Sequence, residues 1–201
     1  ATLLAFASPF SNFLARGFEA TSAGFEFTSY QMTSDVLGEI TPTSLEELQA
    51  KHKFLYYSSL ALAVDDINAN TIGVNADRNE EDAVAGIYTD RGKVYAVLLK
   101  DNTEERRVTP TTDMTINLGG NKLSSAVNRT IWCEKGNIVI DGRLEGSTVY
   151  NNVQPSGKCL TVLKDANVEI KKGAYILEGV KDYTTKFASA LASISSPVAS
   201  S

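Results

Sequence analysis

The chain nearly repeats itself in its second half. Trp132-Cys133-Glu134-Lys135-Gly136-Asn137-Ile138-Val139-Ile140 returns about thirty positions later as Val162-Leu163-Lys164-Asp165-Ala166-Asn167-Val168-Glu169-Ile170. Both copies then run into Leu-Glu-Gly, at Leu144-Glu145-Gly146 and Leu177-Glu178-Gly179. A weaker copy begins at Ile116-Asn117-Leu118-Gly119-Gly120 and reaches Leu123. Self-similarity at this period marks units that cannot bury their apolar side alone and do so by stacking on one another.

Each unit carries apolar residues two apart and then a glycine: Ile116/Leu118 before Gly120, Ile138/Ile140 before Gly142, Val168/Ile170 before Gly173. Short alternation ended by glycine reads as strands with sharp corners, where positive φ or close backbone approach is needed. Asn137 and Asn167 suit the same corners, because asparagine tolerates left-handed turns. Ile116, Leu118, Ile138, Ile140, Val168 and Ile170 are therefore the expected repeat core. Equivalent strands stacked at ~4.8 Å give a parallel β-helix, and three units reach only about 15 Å, too short for the groove of a polymer-degrading solenoid. The alternative is an ordinary antiparallel sheet in which the repeat is coincidental.

Residues 94–101 (VYAVLLKD) followed by 112–123 (TDMTINLGGNKL) resemble the opening turns of right-handed β-helix proteins of the pectate-lyase-like class, as found in bacteriophage tail fibres, spikes and appendages and in bacterial surface proteins. The likeness covers roughly 94–179 and implies architecture before activity. The expected fold is mainly β: a short right-handed parallel β-helix preceded by a small helical cap and a β-hairpin, with extended N- and C-terminal arms. The corresponding divisions are an aromatic-rich attachment arm (1–42), the helical cap and hairpin (43–93), the β-helix repeats (94–180) and a Ser/Ala-rich tail (181–201).

Six of the eight phenylalanines, Phe6, Phe10, Phe13, Phe18, Phe25 and Phe27, crowd the N-terminal arm. So aromatic an arm either wraps back on its own core or docks into a neighbouring subunit or larger particle. Phe187, Leu191 and Ile194 recur at near-helical intervals in the tail and are further interface candidates, in a weak helix or a linker. Thr43-Ser44-Leu45-Glu46-Glu47 is a capping-box signature that starts a helix running toward Phe54. Leu60, Ala63, Val64 and Ile67 lie on one face of a second helix over 58–68, suited to cap the open end of the stack. Two apolar runs, 84–88 and 94–99, flank a glycine-containing turn and predict the hairpin.

At 201 residues and 43% hydrophobic, the chain can bury a core of one or two domains. The net charge of −5 comes without a basic cluster, which argues against nucleic-acid binding, and no run reaches the ~20 apolar residues of a membrane span. The first eight residues resemble the apolar part of a secretion signal but lack a basic start and an initiating Met, so the expectation is a trimmed, processed or partial chain. Cys133 and Cys159 stand in no metal-ligand spacing; repeat alignment sets Cys133 opposite Leu163, an apolar position, and predicts a packed thiol.

Candidate chemistry is sparse. His52, the only histidine, reads as a solvated helix residue without a nucleophile nearby. Asn75, Asp77, Asn79 and Glu81 alternate like half a calcium loop, but Glu80 stands where glycine is required and Gly86 where a bidentate glutamate belongs, so a solvated acidic loop is expected. Asp141, Glu145 and Asp165 could supply a glycosidase pair, yet acids beside glycine are usually turn residues. Trp132 could stack on a sugar, but its repeat equivalent is Val162, which favours core packing or a capping contact. Asn128-Arg129-Thr130 forms a glycosylation sequon, relevant only in a eukaryotic secretory route.

The expectation is a structural, non-enzymatic virion protein of a bacteriophage (fibre, spike or head/tail appendage), without catalytic residues, metal or cofactor. Its expected partners are copies of itself in a homotrimer, other virion proteins through the N-terminal arm, and a host surface glycan. The alternative is a secreted or cell-surface carbohydrate-binding or carbohydrate-cleaving β-helix protein.

Overall fold

The computed structural model describes residues 43–171 in full, together with the backbone of the strands β1 (Phe13–Arg16), β2 (Glu19–Thr21), β3 (Gly24–Phe27), β4 (Ser29–Met32) and β14 (Tyr175–Glu178). Between them come helix α1 (Leu45–Lys51), β5 (Leu55–Tyr57), helix α2 (Leu60–Asn68), β6 (Ala85–Asp90) and β7 (Lys93–Leu98). Then follow β8 (Asn102–Glu104), β9 (Met114–Asn117), β10 (Lys122–Ser125), β11 (Arg129–Asp141), β12 (Thr148–Tyr150) and β13 (Lys158–Ile170). Strand structure dominates. Phe6, Phe10, Phe18, Phe187, Leu191, Ile194 and Gly173 lie outside the described residues.

From β7 onward the chain alternates between two sheets. β7, β9, β11 and β13 pair in parallel in one, and β8, β10, β12 and β14 pair in parallel in the other. Parallel partners cannot be joined by a tight turn. Here the intervening strand of the other sheet supplies the crossover. The pairing sets apolar residues in rows across the strands: Ala96, Ile116, Ile140 and Ile170 in one, Leu123 and Val149 in another, Val108, Ile131 and Leu160 in a third. All of these are buried in one continuous core, as are Leu118, Ile138 and Val168. The six repeat-core residues thus share a single interior.

The period is less regular than the sequence suggests. Along the row from Ala96 through Ile116 and Ile140 to Ile170, each circuit is longer than the one before. Ile138 and Ile140 pair with Val168 and Ile170 as the repeat implies, but the register slips between Cys133 and Lys135. Cys133 therefore lies beside Val162, not Leu163, and Trp132 beside Thr161, not Val162. One extra residue in β13 causes this, as in a β-bulge. The two Leu-Glu-Gly copies are not equivalent either, since Leu177 pairs with Val149 in β12 while Leu144 precedes that strand.

The corners also differ. Gly120 (φ 80°) and Gly146 (φ 91°) are left-handed and stacked, and a Cβ on either would come within 2.9 Å of a carbonyl oxygen of the other turn. Gly142 has no positive φ. Asn137 and Asn167 are not left-handed; Gly136 is, at φ 98°. The asparagines instead form a ladder, with Asn167 Nδ2 donating to Asn137 Oδ1 (3.2 Å) and the Asn137 N–H to Asp113 Oδ1 (2.8 Å).

Both ends of the stack are covered. At the first, the β6–β7 hairpin turns on Arg91 (φ 52°) and Gly92 (φ 78°), the positive-φ pair of a type I′ connection, and β5 extends the sheet. Leu60, Ala61, Ala63, Val64 and Ile67 of α2 join the same buried core as the parallel strands. Leu48, Phe54, Tyr88 and Val97 make a smaller cluster on the hairpin's other face. Ser44 accepts the Glu47 N–H as N-cap of α1, which stops at Lys51, short of the expected Phe54. At the second end, β3 pairs antiparallel with β13 and β4 with β14, so part of the aromatic N-terminal arm, Phe25 and Phe27 included, lies on the chain's own last strands. Phe13, in β1, pairs with Met32 of β4.

Replacing Ile140 or Ile170 with Asp buries an unpaired carboxylate in the central row. The expected loss is roughly 4 kcal/mol or more, a large share of a domain's total stability. Thermal melting of Ile140→Asp and Ile170→Asp checks it; parental melting temperatures in both would contradict the shared core.

Candidate functional site

A concavity lies where α2 begins beside β8. Helix α2 starts at Ser59, whose hydroxyl accepts the Leu62 N–H (3.1 Å), as N-cap serines do. The next unsatisfied helix donors, Leu60 N–H and Ala61 N–H, point at the carboxylate of Glu104 in β8, at 3.0 and 2.7 Å. The Asn102 side-chain amide also donates to that carboxylate. Glu104 is only 1% exposed. A buried carboxylate is stable only with such partners, and the positive end of the helix supplies two of them.

Beside this lock lies a cleft of about 390 Å³, lined by Ser58, Ser59, Asn102, Thr103, Glu105, Arg78 and Arg106, with Glu104 at its side. Asp77 pins one wall, accepting the Ser58 N–H (3.0 Å) and an ion pair from Arg78 (3.4 Å). Across the cleft, Arg106 pairs with Asp65 of α2 at 2.6 Å. The surface is polar and charged, with the carboxylates of Asp65, Asp77, Glu104 and Glu105 against the guanidiniums of Arg78 and Arg106. Sequence reasoning missed it: residues 102–107 show only the adjacent Arg106 and Arg107, and Glu104 meets helix partners more than forty positions earlier in the chain.

The acids weighed as a glycosidase pair and read as turn residues do not converge. Asp141 is bound by Arg143, through Nε (3.1 Å), Nη2 (3.0 Å) and the backbone N–H (3.1 Å). Asp165 lies opposite Lys135, whereas Ile140, next to Asp141, lies opposite Ile170. That separation along the strand is about 20 Å at the usual rise, far beyond the 5–9.5 Å of a glycosidase pair. Glu145 is exposed in the turn whose backbone meets Gly120.

The acidic loop is tied down at two points. Asn75 donates through its backbone to buried Asp66 (2.8 Å) and through its side chain as well, while Asp66 accepts from the Tyr57 hydroxyl (2.8 Å). Asp77 is committed to Ser58 and Arg78. All four acidic-loop positions, Asn75, Asp77, Asn79 and Glu81, are exposed as expected of a solvated loop, and Asn75 and Asp77 also anchor it. No group of three or more metal-ligating side chains occurs among the described residues. His52 is not a solvated helix residue either: it caps the C-terminus of α1 and stacks on Tyr88 at 4.4 Å.

Trp132 is half-buried, and the Arg107 guanidinium sits 4.3 Å from its ring centre, while its neighbours Ile131 and Cys133 are buried in the core. It therefore faces outward and is not part of the core, one of the two placements expected, the other being a capping contact. Both cysteines are buried and reduced, and burial pushes the Cys133 thiol up. In the sequon, Asn128 is exposed but the Thr130 hydroxyl is buried, donating to Tyr150 O at 2.7 Å. No helix among the described residues is long and apolar enough to cross a membrane.

Glu104→Ala orphans three donors and should cost about 3 kcal/mol or more, with Glu104→Gln losing about half of that; urea unfolding measures both, and a change below about 0.5 kcal/mol would contradict the lock. Burial raises Cys133 above 9.0 and, with the Asp66 hydrogen bond, Tyr57 above 10.0; burial and the neighbouring Tyr95 and Asp141 push Tyr88 up to about 12. These groups stay neutral in the fold but ionise first in the unfolded chain. Stability should therefore hold below about pH 9 and fall progressively above it. An unchanged urea midpoint from pH 8 to pH 11 would contradict this.

No family model matches the chain, and no curated protein or solved structure matches it.

Proposed function

We propose that the alternating parallel strands are the turns of a short right-handed β-helix and that the protein is a structural, non-enzymatic subunit of a bacteriophage virion: a fibre, spike or head/tail appendage. The observation carrying the structural part is how the carboxylates are used. Glu104 holds the start of α2, Asp66 holds the 73–75 loop, Asp113 begins the asparagine ladder and Asp141 is bound by Arg143. Acids committed to helix ends, loops and turns serve architecture. The bacteriophage part rests on the resemblance of residues 94–123 to β-helix opening turns.

On this reading the subunit is a homotrimer, because so short a stack leaves side surface that three copies packed together would bury. The aromatic N-terminal region then has two tasks, closing its own last strands through β3 and β4 and contacting other virion proteins. Light scattering of the purified chain across a dilution series tests this. A trimer that survives dilution is the expected outcome. A monomer at every concentration, or release of reducing ends from polysaccharide, would sink it.

A further inference from the structure

We infer that copies of this chain join head to tail, the 70–76 loop of one copy seating on the outward face of Trp132 and Arg107 in the next. This contact rests on the trimer reading and names the two surfaces that would make it. Symmetry sets the requirement. A two-fold pair uses one patch twice, whereas a three-fold ring needs two different patches that complement each other.

The loop supplies one patch. Of the three large apolar side chains that stand most exposed among the described residues, two, Ile72 (37%) and Val74 (72%), flank Gly73 at its tip. The tip is nonetheless firmly held. Gly73 turns at φ 99° and donates its N–H to the Tyr57 hydroxyl (2.8 Å), which donates in turn to Asp66 (2.8 Å). The Asn75 N–H donates to the same carboxylate (2.8 Å), and both Tyr57 and Asp66 are buried. Apolar side chains are thus ordered in water before any partner arrives, so little freedom is lost on docking. The chain then runs on through exposed Glu80, Glu81 and Asp82, none of which forms an ion pair among the described residues, while Arg78 is taken by Asp77. An apolar tip bordered by carboxylates fits an apolar surface bordered by cations.

Trp132 and Arg107 supply the other. The Trp132 ring is half-buried and faces out of β11, with the exposed Arg107 guanidinium 4.3 Å from its centre. Arg106 is committed to Asp65, but Arg107 forms no ion pair among the described residues. Arg129 and Lys158 stand opposite each other at the same end of β11 and β13, so with Arg107 the cations outnumber the exposed acids Glu105 and Glu134. Trp and Arg are also the side chains that most often anchor interfaces. Seating the tip on this ring covers Val74 and brings Arg107 toward the carboxylates of 80–82.

The test is light scattering across a dilution series on the full chain and on Val74→Lys and Arg107→Glu. Both side chains are exposed, so circular dichroism should show the parental fold, with Val74→Ser standing in should Val74→Lys lose it. Each variant should weaken assembly roughly tenfold or more. Adding Glu81→Lys and Asp82→Lys to Arg107→Glu reverses both sides of the contact and should recover much of the loss, which a merely local defect at Arg107 would not allow. Parental assembly in either single variant, or no recovery in the charge-swapped one, would overturn the inference and leave the trimer reading standing. A monomeric parent at every concentration would overturn both.

Discussion

A stack of parallel strands has two open ends, and most of this molecule is arranged around closing them. Every inner strand of the two sheets pairs on both sides, but the first and last strands of a sheet leave backbone donors and acceptors with nowhere to go. The chain meets this with antiparallel strands, which need only short connections. β6 and β5 extend the first end of one sheet, while β3 and β4 line the last strands of both. The edge left at β8 is three residues long, and short edges pair poorly with foreign strands.

Closure of the apolar interior is a separate problem, solved by α2. Its apolar face enters the same core as Ile116 and Ile140, and two polar clamps keep it there. Glu104 holds its first turn, and the Asn68 side chain bonds Thr109 O and the Thr111 N–H near its C-terminus. A helix of nine residues has little stability of its own. The clamps join it to segments that precede β9 and β10, so helix and stack should unfold together.

Local patterns were legible in the sequence, and long-range ones were not. Ser44 as a cap, the apolar face of α2, the hairpin and the six core residues all follow from spacing within a few positions. The register between Cys133 and Lys135 does not, because a single extra residue in β13 shifts which side chains are neighbours while leaving the sequence similarity intact. The matching Leu-Glu-Gly tripeptides misled for a related reason: connection lengths vary, so equal tripeptides fall at unequal places in the circuit. The antiparallel closure by β3 and β4 was invisible because an aromatic segment without a sustained period reads equally as self-packing or as interface.

The cleft was illegible because it is a by-product of closure. Glu104 sits in a strand of only three residues, too short for alternation to mark it as buried, and its role appears only when α2 arrives from earlier in the chain. Locking the helix start onto the edge strand necessarily brings Ser58, Ser59 and the Asp77–Arg78 segment alongside residues 102–106. The same carboxylate that neutralises the helix end also removes the positive field such an end would otherwise present to an anion. The architectural solution therefore shapes the surface beside it: its backbone is pinned by these bonds, and the carboxylates of Asp65, Asp77, Glu104 and Glu105 outnumber the guanidiniums of Arg78 and Arg106.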